Sequence, residues 1–342
     1  MNCFVFQKFS NLTIIDMFFS LLISKGFMIF GKNKDCRSGC RDASKLYPPE
    51  LFTKKFEFEF QNMTFQNTSE FIGKGHYSTV YKSFLTNGTA VAVKNLISYS
   101  KKYLGREINT LKALQDVPNV LRFYGIIGNE SQPAIIYSYH SSSKYGYNGN
   151  ITLDDFRWWL KTTLETLANI HEHGVIHRDL RLANILTDFE NRKLAIVDFG
   201  LSDFYKKGVP MNPNIGCFHI MAPELVINIS NYNCAVDVWS LGLSCLDIMI
   251  KLKDHWNSKN DYMMIENFIK AYGSASWNEF VGKYNPIFKT KRKITGSFYE
   301  LGMPGNNHLI TLDTMDLVSK MLELDPAKRI SAREALNHNF FK

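Results

Sequence analysis

Asp179 lies in the run His177-Arg178-Asp179-Leu180-Arg181-Leu182-Ala183-Asn184, and Asp198-Phe199-Gly200 begins nineteen positions after it. Residues of these types at these separations could transfer a phosphoryl group. A carboxylate accepts the proton of an attacking hydroxyl, while a nearby amide oxygen and a second carboxylate hold divalent cations against a polyphosphate. On that reading Asp179 is the base, and Asn184 and Asp198 are ligands to magnesium. A lone His-Arg-Asp tripeptide is common in proteins, so the other parts of such a site have to occur elsewhere in the chain and in order.

They do. Ile72-Gly73-Lys74-Gly75-His76-Tyr77-Ser78-Thr79-Val80 has the pattern of a glycine-rich strand-turn-strand whose backbone amides cover phosphates. Ala90-Val91-Ala92-Val93-Lys94 alternates as a strand does and ends in a lysine able to reach a nucleotide. Arg106-Glu107-Ile108-Asn109-Thr110-Leu111 opens an apolar stripe of helical period, which turns Glu107 inward to pair with Lys94. Downstream come Ala222-Pro223-Glu224, an apolar helix opening at Asp237-Val238-Trp239, and Asp325-Pro326-Ala327-Lys328-Arg329-Ile330. Arg329 is the expected partner of Glu224, because a buried carboxylate left unpaired is costly.

These motifs, in this order across residues 70 to 342, resemble the protein kinases. More narrowly, Gly73-Lys74-Gly75-His76-Tyr77-Ser78, Pro118-Asn119-Val120, Pro133-Ala134-Ile135-Ile136-Tyr137 and the run from Asn191 to Tyr205 resemble the catalytic subunit of casein kinase II, from about Ser44 to the C-terminus. The resemblance implies an α+β, bilobal fold: a small antiparallel-sheet lobe over about 65–136, a hinge at 137–140, and a helical lobe over 141–342. Residues 44–64 lead into it, and 1–43 form an extension. ATP is expected between the lobes with magnesium, under the glycine-rich segment from Ile72 to Val80. Val80 and Ala92 would form the ceiling of the adenine slot, Leu186 and Val197 its floor, and Tyr137 would limit access to its back. Lys94, Glu107, Asp179 and Arg181 would be the catalytic set. Protein substrates follow from the resemblance, as does a regulatory subunit docking on the small lobe.

Several positions depart from that pattern. Where the family uses basic residues to attract acidic substrate sites, this chain has Asn214, Phe218 and Met221. Arg181 replaces a lysine usual near the transferred phosphate, bringing a planar fork instead of a compact ammonium. Cys217 replaces a serine or threonine. His219-Ile220-Met221 before Ala222-Pro223-Glu224 follows the serine/threonine pattern. From Lys206 through Pro223 there is no Ser, Thr or Tyr, so a switch operated by loop phosphorylation has no acceptor there. Two other readings stay open. One is the related kinase that licenses replication origins, favoured by Phe199 but lacking its long insertions; the other is a pseudokinase scaffold.

Composition adds bounds. The chain has 342 residues, 45% of them hydrophobic, with a net charge of +8, which suits one bilobal domain and acidic partners. Lys289-Thr290-Lys291-Arg292-Lys293 is a compact basic run, read as a solvated loop ahead of an import tag. No interleaving of aromatic and basic residues points to nucleic acid. The apolar stretch from Ile14 to Ser24 is interrupted by Asp16 and falls short of the ~20 residues a membrane span needs. Six scattered cysteines fit a reducing compartment, and an intracellular location, nuclear or cytoplasmic, is expected.

Overall fold

The computed structural model describes residues 39–52, 56–75, 77–142, 151–252, 260–297 and 305–342. The stretch from Ile14 to Ser24, His76 of the glycine-rich turn and Trp256 lie outside the described residues, as does most of the polar run after His140. The chain forms an α+β fold with two compact units, one comprising Cys40–Tyr145 and Glu165–Lys207, the other including Gly146–Leu164 and Gly208–Lys342.

The first unit is built on a five-stranded antiparallel sheet in the order β1-β2-β3-β5-β4, formed by β1 (Phe65–Lys74), β2 (Ser78–Leu85), β3 (Ala90–Leu96), β4 (Phe123–Asn129) and β5 (Gln132–Ser138). Its turns follow from local chemistry. Asn87-Gly88 closes the β2–β3 hairpin with Gly88 at φ 83°, and the Asn87 side chain accepts from the Thr89 amide at 3.0 Å. At the β4–β5 turn the Asn129 carboxamide oxygen accepts from the amides of Ser131 and Gln132.

Cross-strand pairs share a face of the sheet, so the register determines which side chains meet. Val80 pairs with Lys94, Lys82 with Ala92, Ala92 with Tyr137 and Lys94 with Ile135. β5 runs to Ser138, so Tyr137 is a paired strand residue.

Helix α1 (Lys101–Ala113) buries Leu104, Glu107, Ile108 and Leu111, an i, i+3, i+4, i+7 face that carries one carboxylate among the apolar groups. Helix α2 (Leu153–Glu172) contributes its C-terminal part to this unit, where Thr166 Oγ1 accepts from the Asn119 carboxamide at 3.1 Å. Two small ribbons follow: β6 (Val175–Ile176) pairs with β9 (Asp203–Phe204), and β7 (Ile185–Asp188) with β8 (Lys193–Ile196).

The second unit is helical, with α3 (Pro223–Val226), α4 (Ala235–Ile250), α5 (Asp261–Tyr284), α6 (Leu312–Met321) and α7 (Ala332–Ala335). Helix α4 is buried on every side except at Asp247, as expected for a helix apolar all round. Gly273 breaks α5 at φ 81°; a side chain there would strike the Gly296 backbone at 2.8 Å. Beyond the break, Trp277 stacks on Phe268 and touches Phe280, all buried. The basic run from Lys289 to Lys293 is largely exposed, and Arg292 engages Glu266. Among the described residues Cys40 and Cys234 are each disulfide-bonded, while Cys245 is a buried thiol, so scattered spacing was a poor guide to thiol state.

Glu224 and Arg329 form the charged centre of this unit. The guanidinium meets the carboxylate in a fork at 2.7 and 2.9 Å, and its remaining donors reach the carbonyls of Ala235, Glu323 and Leu324. It also lies 5.0 Å from the centroid of Trp239. Both side chains are almost wholly inaccessible. Replacing Arg329 by Met removes all of these donors and strands a buried carboxylate, at a cost of about 3–5 kcal/mol. The expected result is a thermal midpoint lower by roughly 10 °C in calorimetry; an unchanged midpoint would show the pair to be dispensable.

Candidate active site

Every residue expected to touch nucleotide or metal falls within the first unit, apart from His76, which is outside the described residues. The alternation of β3 carries Lys94 onto the sheet face it shares with Val80, Ala92 and Tyr137. Lys94 Nζ donates to Glu107 Oε1 at 3.0 Å and to Asp198 Oδ1 at 3.1 Å. Burial works to lower the pKa of Lys94, but the charges of Glu107 and then Asp198 outweigh it and hold the ammonium above the usual lysine range. Asp198 answers in kind: the Lys94 charge holds its carboxyl below the usual value against desolvation.

Asp198 adopts a left-handed conformation, φ 63° and ψ 69°, and Arg178 sits at φ 67°. Such conformations are costly for residues with side chains and persist only where surrounding bonds enforce them. Those bonds are present. The His177 ring accepts at Nδ1 from the Asp179 amide at 3.3 Å, which leaves its Nε2–H to donate to the Val197 carbonyl at 3.0 Å. The same ring packs edge-on against Phe199 at 4.9 Å. Arg178 donates to the carbonyls of Leu201 and Ser202.

The short turn Leu182–Asn184 brings Asn184 back over Asp179. Its carboxamide nitrogen donates to the Asp179 carbonyl and to Asp179 Oδ2, both at 2.8 Å, so its oxygen is left as an acceptor. Arg181 Nε also donates to Asp179 Oδ2, at 3.3 Å. The other carboxylate oxygen, Asp179 Oδ1, is buried and has no hydrogen-bond partner among the described residues. A buried, unanswered acceptor of this kind points to a donor that arrives with a substrate.

Of the segment from Ile72 to Val80, Ile72, Gly73 and Lys74 end β1 and Ser78, Thr79 and Val80 begin β2, with Gly75 and Tyr77 in the connection. The Gly75 amide donates to the Ser78 carbonyl at 2.8 Å. Tyr77 is 63% exposed. A side chain at Gly73 would meet nothing within 4 Å, leaving room for a ligand to approach the backbone. Leu186 lies on β7, half-buried, opposite Ala195.

A second layer was not anticipated by motif reading. The Asp203 carboxylate takes Arg106 of α1 at 3.1 Å and Arg178 of the catalytic loop at 3.3 Å. Nearby, the hydroxyls of Thr110 and Ser202 are 2.8 Å apart. The segment before β1 joins the same layer. The Ala43 amide donates to the Tyr205 carbonyl, Asn109 reaches the Leu51 carbonyl, and Tyr47 and Phe52 pack on Phe204. The Phe56 ring lies so close over Gly105 that any side chain there would overlap it. Only the aromatic spacing of Tyr47, Phe52 and Phe56 could have hinted at this.

Comparison with known families matches the protein kinase domain over residues 66–341. The chain belongs to the protein kinase family. Its members transfer phosphoryl groups from ATP to proteins, typically with magnesium. The donor set fits that metal: one carboxylate and one amide oxygen, with phosphates completing the shell, suit a small hard cation that keeps oxygen ligands.

Gly73→Ala separates packing from ligand contact. With open space around it and no positive φ, the substitution should leave the thermal midpoint unchanged or slightly raised. The KM for ATP should rise about tenfold or more, because a methyl group intrudes on the phosphates. A lower midpoint with unchanged KM would remove this turn from the nucleotide site.

Proposed function

We propose that this protein is a serine/threonine kinase similar to the catalytic subunit of casein kinase II, and that it works without phosphorylation of its activation segment. The observation that carries the chemistry is Asp179: one carboxylate oxygen is fixed by Asn184 and Arg181 while the other, buried, is left to accept a proton. A substrate hydroxyl bonded to Oδ1 would be oriented for in-line attack and would pass its proton to that oxygen as the new O–P bond forms. Lys94, anchored by Glu107, would hold the nucleotide phosphates, and Asn184 and Asp198 would hold magnesium, which neutralises charge on those phosphates. Arg181, beside the base, is placed to contribute positive charge near the transferred group.

Independence from loop phosphorylation is supported by Asp203. Phosphorylated loops are held by a new phosphate that binds the catalytic-loop arginine. Here a carboxylate already occupies Arg178 and also ties in Arg106, next to Glu107. Substrate preference is drawn from the opposite kind of observation. Asn214 is exposed, Phe218 half-buried and Met221 buried, and none carries the positive charge that would select acidic sites.

The test is transfer of labelled phosphate from ATP to acidic, neutral and basic serine/threonine peptides, with a tyrosine peptide and an Asp198→Ala control. Transfer to serine or threonine that is lost in the control supports the reading. Transfer to tyrosine alone, or magnesium-dependent ATP binding without transfer to any peptide, overturns it; transfer only with an added activating subunit would favour the origin-licensing type.

Loop regulation has its own readout. Active wild-type enzyme should show no phosphate between Asp198 and Glu224 by intact-mass and peptide analysis. Asp203→Asn should lower kcat by about tenfold through loss of two charge-assisted contacts. An obligatory loop phosphate, or full activity in Asp203→Asn, would refute this part.

A further inference from the structure

Tyr137 enters the family resemblance only as a residue at the back of the adenine slot, yet its hydroxyl is engaged elsewhere. Pairing with Ala92 places the ring on the sheet face that carries Lys94. The hydroxyl donates to Glu107 Oε1 at 2.7 Å, the same oxygen that Lys94 reaches at 3.0 Å. Both partners are buried, Tyr137 at 7% and Glu107 at 5% exposure. Burial, and then the Glu107 charge, raise the phenol well above the ordinary tyrosine value, so it stays a donor throughout the working pH range.

The arrangement solves a positional problem. A glutamate carboxylate sits at the end of a soft torsion, and Lys94, on a flexible four-carbon stem, divides its donors between Glu107 and Asp198. Neither side chain of that pair can fix the other by itself. A tyrosine ring has two torsions and is packed into a central strand, so its hydroxyl is a rigid reference point. Through it, α1 is referred to β5 as well as to β3.

We propose that Tyr137 is a positioning residue for phosphoryl transfer, acting through Glu107 by fixing the carboxylate that orients Lys94. This rests on the reading of Lys94 and Glu107 as the phosphate-holding pair. It assigns a task to the hydroxyl that is separate from any role of the ring in shaping the adenine slot.

The experiment uses the full chain and four variants, Tyr137→Phe, Tyr137→Leu, Glu107→Gln and the Tyr137→Phe/Glu107→Gln double variant, in steady-state kinetics with magnesium and ATP beside thermal melts. Tyr137→Phe should keep the melting point within about 2 °C, change KM for ATP less than about threefold, and lower kcat by about tenfold, the worth of a hydrogen bond to a charged group. Tyr137→Leu, which also lacks the hydroxyl, should lose at least as much kcat. The double variant should be no slower than Glu107→Gln, because the tyrosine would have nothing left to position.

Unchanged kcat in Tyr137→Phe overturns the proposal. So does a change confined to KM, which would mark a contact with adenine, and so do losses that multiply in the double variant, which would show independent action. If Glu107→Gln alone keeps full kcat, the underlying reading of the pair fails instead, and that result is distinct from the other three.

Discussion

A half-buried ammonium shared between two carboxylates is the constraint on which the rest of this protein is arranged. Lys94, Glu107 and Asp198 come from a strand, a helix and the segment after a small ribbon. In an environment of reduced dielectric their attraction is stronger than in water, and loss of Lys94 would leave the buried Glu107 carboxylate without its counter-charge. The three segments are thus required to meet, and the cost of gathering them is visible in the left-handed backbone at Asp198 and Arg178. Hydrogen bonds from His177 and Arg178 to backbone atoms around the Asp198-Phe199-Gly200 turn hold that strain in place.

Around this charge cluster the protein adds ties that converge on helix α1. Tyr137 holds Glu107 from the sheet side, Asp203 holds Arg106 from the activation segment, and Ser202 meets Thr110. Leu51 and Phe56, from the segment ahead of β1, cover the same helix at Asn109 and Gly105. A small rotation of helix α1 would carry Glu107 away from Lys94. The helix's several anchors come from within one chain.

Much of this was legible beforehand, for reasons that differ from residue to residue. Lys94 could be read because strand alternation and its distance from Glu107 both pointed inward, and Arg329 because Glu224, in an apolar context, needed a counter-charge. The α+β fold followed from the resemblance to protein kinases that the ordered motifs carry. Asp203 was harder: an acidic residue in a loop reads as a solvated charge until two arginines from distant positions are seen around it. Tyr137 looked like the first residue of a hinge because strand ends carry no sharp signal, yet its pairing with Ala92 makes it part of the sheet. Cysteine spacing said nothing about which thiols were bonded.

The amino-acid sequence by itself determined which carboxylate, amide and cationic groups the kinase motifs of this protein carry and in what order they follow along the chain, since chemical type and separation are properties of a linear string. Tertiary structure alone decided which oxygen of Asp179 is left open, which carboxylate answers Arg178, and what the Tyr137 hydroxyl touches. Those outcomes depend on ångström-scale distances between segments far apart in the chain, and such distances exist only once strands have paired and helices have packed.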